Sequence, residues 1–404
     1  MSSGQAPPTV GAVAPLRLRD DLVIRRQDSA SGVSFVVKDP VARRYFRLGE
    51  LEHFIAVGLD GKGRLDEIRA RLQAERGLDY PPEKIIAFLE RMRQLGLLEE
   101  SSGTSSKSHH RMSSLLFIKV KAFDPHRMLV RLLPLARPFF SRWFVVSAVV
   151  LLSAAMVSLL GSWTQLAGQL RNLMQPSAAP LFLMVFAAIA VVHELAHGIT
   201  CTHFGGEVHE MGLLLVFFVP AVYCDVSDTW LFEDKGRKLW VSFAGVFFQL
   251  FIWSLAVLAW QLSEAAPLLR EILGLIILIG GVTALLNLNP LIKLDGYYLL
   301  SDLLDEPNLH RASFAYLVSE GNRLLGRHRG VSQRASSRQR WLYLAYGAAA
   351  GVFSLALLII LPLRTAMAIA ARYSWPTAVT AAALLVTLGV GAAAALKRRR
   401  KAMT

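Results

Sequence analysis

Charged side chains are scarce in this chain. Asp, Glu, Lys and Arg make up 18% of its 404 residues, against 53% hydrophobic residues. That balance excludes a purely globular enzyme and fits a polytopic membrane protein with a soluble portion. Cysteine is nearly absent: Cys201 and Cys224 are the only two, so no disulfide framework is implied. Acids are the scarcer charge, 30 against 44 bases, for a net charge of +14. The surplus bases gather before and between the apolar runs and in "KRRRK" at 397–401. Such placement belongs to membrane topology and anionic headgroups rather than to a nucleic-acid interface. Residues 1–20 have no apolar core, which argues against a cleaved signal peptide and leaves the N-terminus cytosolic.

What is present divides into a soluble part and a membrane part. Residues 15–100 read as a small α+β domain. Alternation in "DLVIRRQ" and "VSFVVKD" predicts short strands, and helical periodicity follows in "GELEHFIAVGL", "RLDEIRARLQAERG" and "PPEKIIAFLERMRQLGLLEE". "SSGTSSKSHHRMSS" at 101–114 reads as a flexible linker, with His109 and His110 as solvated linker residues rather than ligands. Beyond it the hydropathy predicts six spans, at 143–162, 179–200, 239–262, 268–288, 341–362 and 376–396. With the N-terminus inside, the cytosolic side receives Arg131, Arg137, Arg142, Lys235, Arg237, Lys238, the eight Lys/Arg of 291–340 and the basic tail. The outer loops and their margins keep Arg171, Arg270, Arg364 and Arg372, so the positive-inside pattern closes on six spans with both termini cytosolic. "MGLLLVFFVPAVYC" at 211–224 is too short to span and contains Pro220, so it is expected to be re-entrant.

The second span ends in "VVHELAHGI". Ionisable side chains in a span are costly and mark function by default. On a helix His193 and His197 lie about 40° apart on one face with Glu194 beside them. That is the arrangement of two imidazole zinc ligands with a general base. A third protein ligand is then required. His203 is rotated off the ligand face, and His209, Glu207 and Glu210 follow "GG" in a segment expected to be extended. Asp295, in "LNLNPLIKLDGYYLLSDLL" after the fourth span, lies on the same cytosolic side, with Gly296 allowing close approach. Paired with the second span at matching depth, it is the preferred third ligand.

"HELAHG" followed after about a hundred residues by "NPLIKLDG" resembles the site-2 protease family of intramembrane zinc metalloproteases over residues 180–305. The resemblance implies His193, His197 and Asp295 as zinc ligands and Glu194 as the catalytic glutamate. It implies that "GGEVHEMGLLLVFFVP" is a re-entrant β-like segment near the substrate path. "AGVFFQL" at 244–250 is similar to the family's third-span "AGP" motif, with Val246 in place of the proline and Gln249 where an asparagine is usual. "YCDVSDTW" and "KLDGYYLLSDLLDEPNL" resemble the peptide zinc metalloprotease subgroup, whose members often continue into a membrane-fusion-type adaptor. Such an adaptor, or an ABC exporter, is expected to act in trans. Residues 15–100 resemble the PqqD-like peptide-binding module, a small winged-helix-like domain that captures a leader peptide at a sheet edge.

These observations predict a polytopic α-helical membrane protein with about six spans, a re-entrant segment and a winged-helix-like N-terminal domain. A protease core is expected at 140–305, followed at 306–404 by a cytosolic loop, two spans and the tail. The expected function is zinc-dependent hydrolysis of a peptide or membrane-anchored substrate at a bacterial inner membrane. Glu194 moves the proton and Asn289 is the candidate oxyanion donor. The rival readings are a non-catalytic component of a peptide-export complex and a transporter. The latter calls for repeated halves and ionisable residues over several spans, and the sequence has neither. DNA binding by the N-terminal domain is disfavoured, because its bases are interleaved with Glu67, Glu75, Glu83 and Glu90.

Overall fold

The computed structural model describes residues 17–29, 32–59, 65–78, 80–99, 117–173, 175–216, 219–326 and 336–372. They divide into two compact units, the N-terminal residues together with Trp230–Asp234, and the remainder.

In the first unit, β1 (Arg17–Leu18) is followed by an antiparallel meander of β2 (Val23–Ser29), β3 (Gly32–Asp39) and β4 (Arg44–Gly49). Three helices follow: α1 (Glu50–Val57), α2 (Leu65–Arg76) and α3 (Pro82–Gln94). Then β5 (Leu98–Glu99) returns to pair with β1. The predicted strands and helices appear where the alternation and the 3.6-residue period place them. β4 was not anticipated, because "RYFRLG" carries two arginines and lacks a clean alternation. Glu52 accepts from the Gly49 N–H at 2.8 Å and so fixes the start of α1. Val37, Leu48, Ile55, Leu72, Ile85, Leu89, Met92 and Leu97 form the core. Truncating a fully buried one such as Leu72 costs about 2–5 kcal/mol. Beneath the sheet, the buried Asp39 carboxylate accepts from Arg19 at 3.2 Å and from the backbone N–H of Val41 and Ala42 at 3.0 Å, closing the β3–β4 turn.

The second unit opens on β6 (Phe117–Phe123), then the amphipathic α4 (His126–Ala136) and α5 (Arg142–Leu173). Next come α6 (Ala179–His203), the strands β7 (Met211–Val216) and β8 (Val219–Cys224), and α7 (Lys235–Gln261). The described part ends with α8 (Pro267–Leu288), α9 (Asp295–Leu304), α10 (Leu309–Leu324) and α11 (Ser337–Arg372). Five helices, α5, α6, α7, α8 and α11, are long and apolar enough to cross a membrane. They coincide with five of the six expected spans, while the sixth, at 376–396, lies outside the described residues, as does the 101–114 linker. α7 is the most enclosed of the five and packs against α5, α6, α8 and α9. Its Trp253, Val257 and Trp260 meet Ala155 and Leu166 of α5 and Leu273 and Ile277 of α8.

In the short apolar run at 211–224 the described residues are the antiparallel strands β7 and β8 and not a helix. They join β6 in a three-stranded antiparallel sheet of order β6-β7-β8. Pro220 has no N–H to give, and it sits in β8, an edge strand, where that loss is tolerated. A β-bulge at Lys121–Phe123 brings the β6 backbone against Gly212, where a Cβ would overlap the Val120 carbonyl oxygen.

Candidate metal centre

α6 carries the two histidines at i and i+4, so both rings leave one face of the helix, and both are buried. α7 crosses that face at Gly245. A methyl group there would overlap the Nε2 atoms of His193 and His197, so only glycine permits this approach. α8 ends at Leu288, Asn289 and Pro290 turn the chain, and α9 begins on Asp295. Gly296 lies directly against the last turn of α8, where a Cβ would overlap the carbonyl oxygen of Leu288. α9 is held there by Tyr297, which packs with Leu309, Tyr346 and Ala350, and by the Tyr346 hydroxyl donating to the Pro290 carbonyl at 3.0 Å. Two glycines and a buried tyrosine cluster thus bring an aspartate to histidines about a hundred residues earlier.

The resulting geometry is tight. Asp295 Oδ2 lies 2.9 Å from His193 Nε2 and 3.4 Å from His197 Nε2, and the two Nε2 atoms are 3.2 Å apart. Donors about 2.0 Å from a tetrahedral zinc stand about 3.3 Å from one another, so the spacing fits that ion. His197 Nδ1 lies 2.7 Å from the Val241 carbonyl, and His193 Nδ1 lies 2.9 Å from the Gln249 side-chain oxygen. A carbonyl only accepts, so His197 carries a proton on Nδ1, which leaves Nε2, facing Asp295, as the nitrogen available to a metal. Two Nε2 atoms and a carboxylate oxygen converging at the buried face of α6 form a donor set that can hold a cation between them. Among the described residues, His193, His197 and Asp295 are the one group of three such side chains with ligand atoms within 4.8 Å of one another.

Glu194 stands half-buried beside this cluster, close enough to interact with His193, His197 and Asp295, and the Cys224 backbone hydrogen-bonds its carboxyl. β8 therefore ends at the glutamate. Gly198, one turn on, is pinched between Leu129 of α4 and the Cys224 thiol, at 3.0 and 3.1 Å from where a Cβ would stand. The other ligands weighed from the sequence are engaged elsewhere. His203 stacks on Phe140, His209 lies between Asp124 at 3.1 Å and Glu207 at 3.3 Å, and Glu210 accepts from the Tyr223 hydroxyl. His109 and His110 lie outside the described residues.

The structure places the Asn289 side-chain oxygen elsewhere: it accepts from the Leu291 N–H at 2.9 Å and shapes the turn after α8. The asparagine at the histidines is Asn287, whose Nδ2 lies 3.3 Å from His193 Nε2. Asn287 is still in the last helical turn and faces the site, whereas Asn289 has left the helix. Gly245 and Gln249 were also not assigned to the site from the sequence. Their signal was available, since a glutamine buried in an apolar span is costly and the glycine four residues earlier shares its face.

Comparison with known proteins gives one distant likeness. The chain is 29% identical over 121 residues to a protein of Bacillus subtilis (strain 168) named "Putative peptide zinc metalloprotease protein YydH". The match covers 30% of this chain and 46% of that protein, so the chain spans about half the length of this relative. No model of a known protein family matches the chain. No solved structure matches it either.

Proposed function

We propose that this chain is an intramembrane zinc endopeptidase of the site-2 protease type, in a bacterial inner membrane. The observation that carries the reading is the buried convergence of His193, His197 and Asp295 beside Glu194, a carboxylate that is not needed as a ligand. The likeness to a protein named as a peptide zinc metalloprotease supports it. His193 Nε2, His197 Nε2 and one Asp295 oxygen would hold the ion. The chemistry zinc supplies there is Lewis acidity, which acidifies water and polarises a carbonyl. Glu194 takes the proton of the attacking water and returns it to the leaving amine. The Asn287 amide, beside His193, donates to the oxygen that gains charge. A substrate must be extended to be cut, and edge strand β8, whose last residue hydrogen-bonds Glu194, offers a template that leads to the base.

The test is cleavage of an unstructured peptide by the purified protein in lipid nanodiscs. Cleavage is expected to stop on chelation and to return with about one equivalent of zinc. Cleavage indifferent to chelation overturns the zinc chemistry, and no cleavage by the zinc-loaded protein overturns the reading in favour of a non-catalytic export component.

Residues 15–100 recruit the substrate in this proposal. If 101–114 is the linker that its composition predicts, fourteen residues give an r.m.s. reach of about 20 Å, which would hold a captured peptide at roughly millimolar effective concentration. Deleting residues 1–100 is expected to leave cleavage of a generic peptide unchanged and to slow processing of the native substrate sharply. Native processing at the full-length rate assigns the domain a structural role instead.

A further inference from the structure

The two histidines are oriented by different means. His197 leans on a main-chain carbonyl, that of Val241, which no substitution at position 241 removes. His193 leans on a side chain, Gln249 of α7, and that side chain is set in turn by α8. Gln249 is buried, and its Nε2 donates to the Gly280 carbonyl at 2.8 Å and to the Thr283 hydroxyl oxygen. The single Thr283 hydroxyl proton goes to the Ile279 carbonyl at 2.6 Å, so towards Gln249 the threonine oxygen only accepts. Both contacts on α8 therefore demand the amide NH2. A flipped amide would set its oxygen against two acceptors in a low-dielectric interior. With NH2 held by α8, the Gln249 oxygen must face His193, 2.9 Å from Nδ1. An acceptor at that point puts a proton on Nδ1 and leaves Nε2, where His197 and Asp295 converge, as the nitrogen that can bind a metal.

We infer that Gln249 is a positioning residue for His193 and that Thr283 and Gly280 of α8 lock it. This relay across α6, α7 and α8 selects the imidazole tautomer that can bind metal, so the contact of Gln249 with α8 sets the metal affinity of the site. The inference rests on the reading of His193 as a ligand through Nε2. It adds that residues outside the ligand set tune that ligand from the next helix.

The test uses the full-length protein and two readouts besides activity. The first is zinc affinity by competition with a chromogenic chelator. The second is the tautomer of His193 in metal-free protein, read from 15N-histidine NMR with His193→Ala identifying its signal. Gln249→Leu is expected to weaken zinc binding about 10- to 100-fold and to convert a His193 fully protonated at Nδ1 into one only partly protonated there. Gln249→Glu keeps an acceptor for Nδ1–H while losing both donations to α8, and is expected to bind zinc more tightly than Gln249→Leu. Thr283→Val removes one lock, leaves every ligand and Gln249 in place, and is expected to give an intermediate loss. It carries the test if the position 249 variants do not fold. Wild-type zinc affinity with His193 still fully protonated at Nδ1 in Gln249→Leu, or in Thr283→Val if only that folds, overturns the inference. So does lost thermal stability with affinity unchanged, the mark of a packing role. If wild-type protein bound no zinc, the metal reading would fall while the NMR arm still decided the relay.

Discussion

Gly245→Ala is expected to empty the metal site while the spans stay folded. Alanine is the better helix former, so α7 gains in local propensity from the change. The added methyl, however, points to where the Nε2 atoms of His193 and His197 already stand. The rings cannot step aside cheaply, because each is held on its far side, His197 by the Val241 carbonyl and His193 by Gln249. Moving either ring or α7 spreads donors that now lie 2.9–3.4 Å apart, and a metal site tolerates only about 0.5 Å of such displacement. Zinc affinity should fall by about 100-fold or more with helical circular dichroism unchanged. Zinc analysis after dialysis checks it, and a fully loaded Gly245→Ala protein would show that the ion lies elsewhere.

Glu194→Gln separates the base from the ligands. Glutamine has the shape of glutamate and keeps an oxygen to accept the backbone hydrogen bond from Cys224, but it takes no proton at neutral pH. Zinc content should stay at the wild-type level, since the three ligands are untouched. Peptide cleavage should drop by about 10²- to 10⁴-fold, the usual contribution of a positioned general base. Rapid cleavage by the zinc-loaded variant would assign the proton transfer to another group.

Much of this site was legible before any coordinates, for an energetic reason. Two histidines and a glutamate in an apolar run stand out because hydrocarbon penalises them, and the i, i+4 spacing already places both rings on one helix face. Asp295 was legible because the charge bias predicts both motifs on one side of a membrane and Gly296 permits close packing. The spans were legible as apolar runs, though α5 and α11 extend some ten residues beyond the hydropathic stretch, since helix continues through "TQLAGQLRNL" and "LRTAMAIAAR". What could not be read depended on contacts distant in sequence. β6 pairs with β7 some ninety residues later, and no turn signal announces the partnership. The choice between Asn287 and Asn289 turns on where α8 ends, a boundary uncertain by more than the two residues that separate them. The role of Gly245 is a property of the α6–α7 crossing; the sequence offers only its place one turn before Gln249 on the same face, not the helix that it meets.

In the proposed centre two imidazoles and one carboxylate of this chain hold a zinc ion beside Glu194, which does not ligate it. X-ray absorption at the zinc edge of the purified full-length protein tests this most directly. The account predicts about one zinc per chain in a shell of nitrogen and oxygen near 2.0–2.1 Å, with the multiple-scattering pattern of two imidazoles and no sulfur. A zinc-free protein, or a sulfur neighbour near 2.3 Å implicating Cys201 or Cys224, would contradict it.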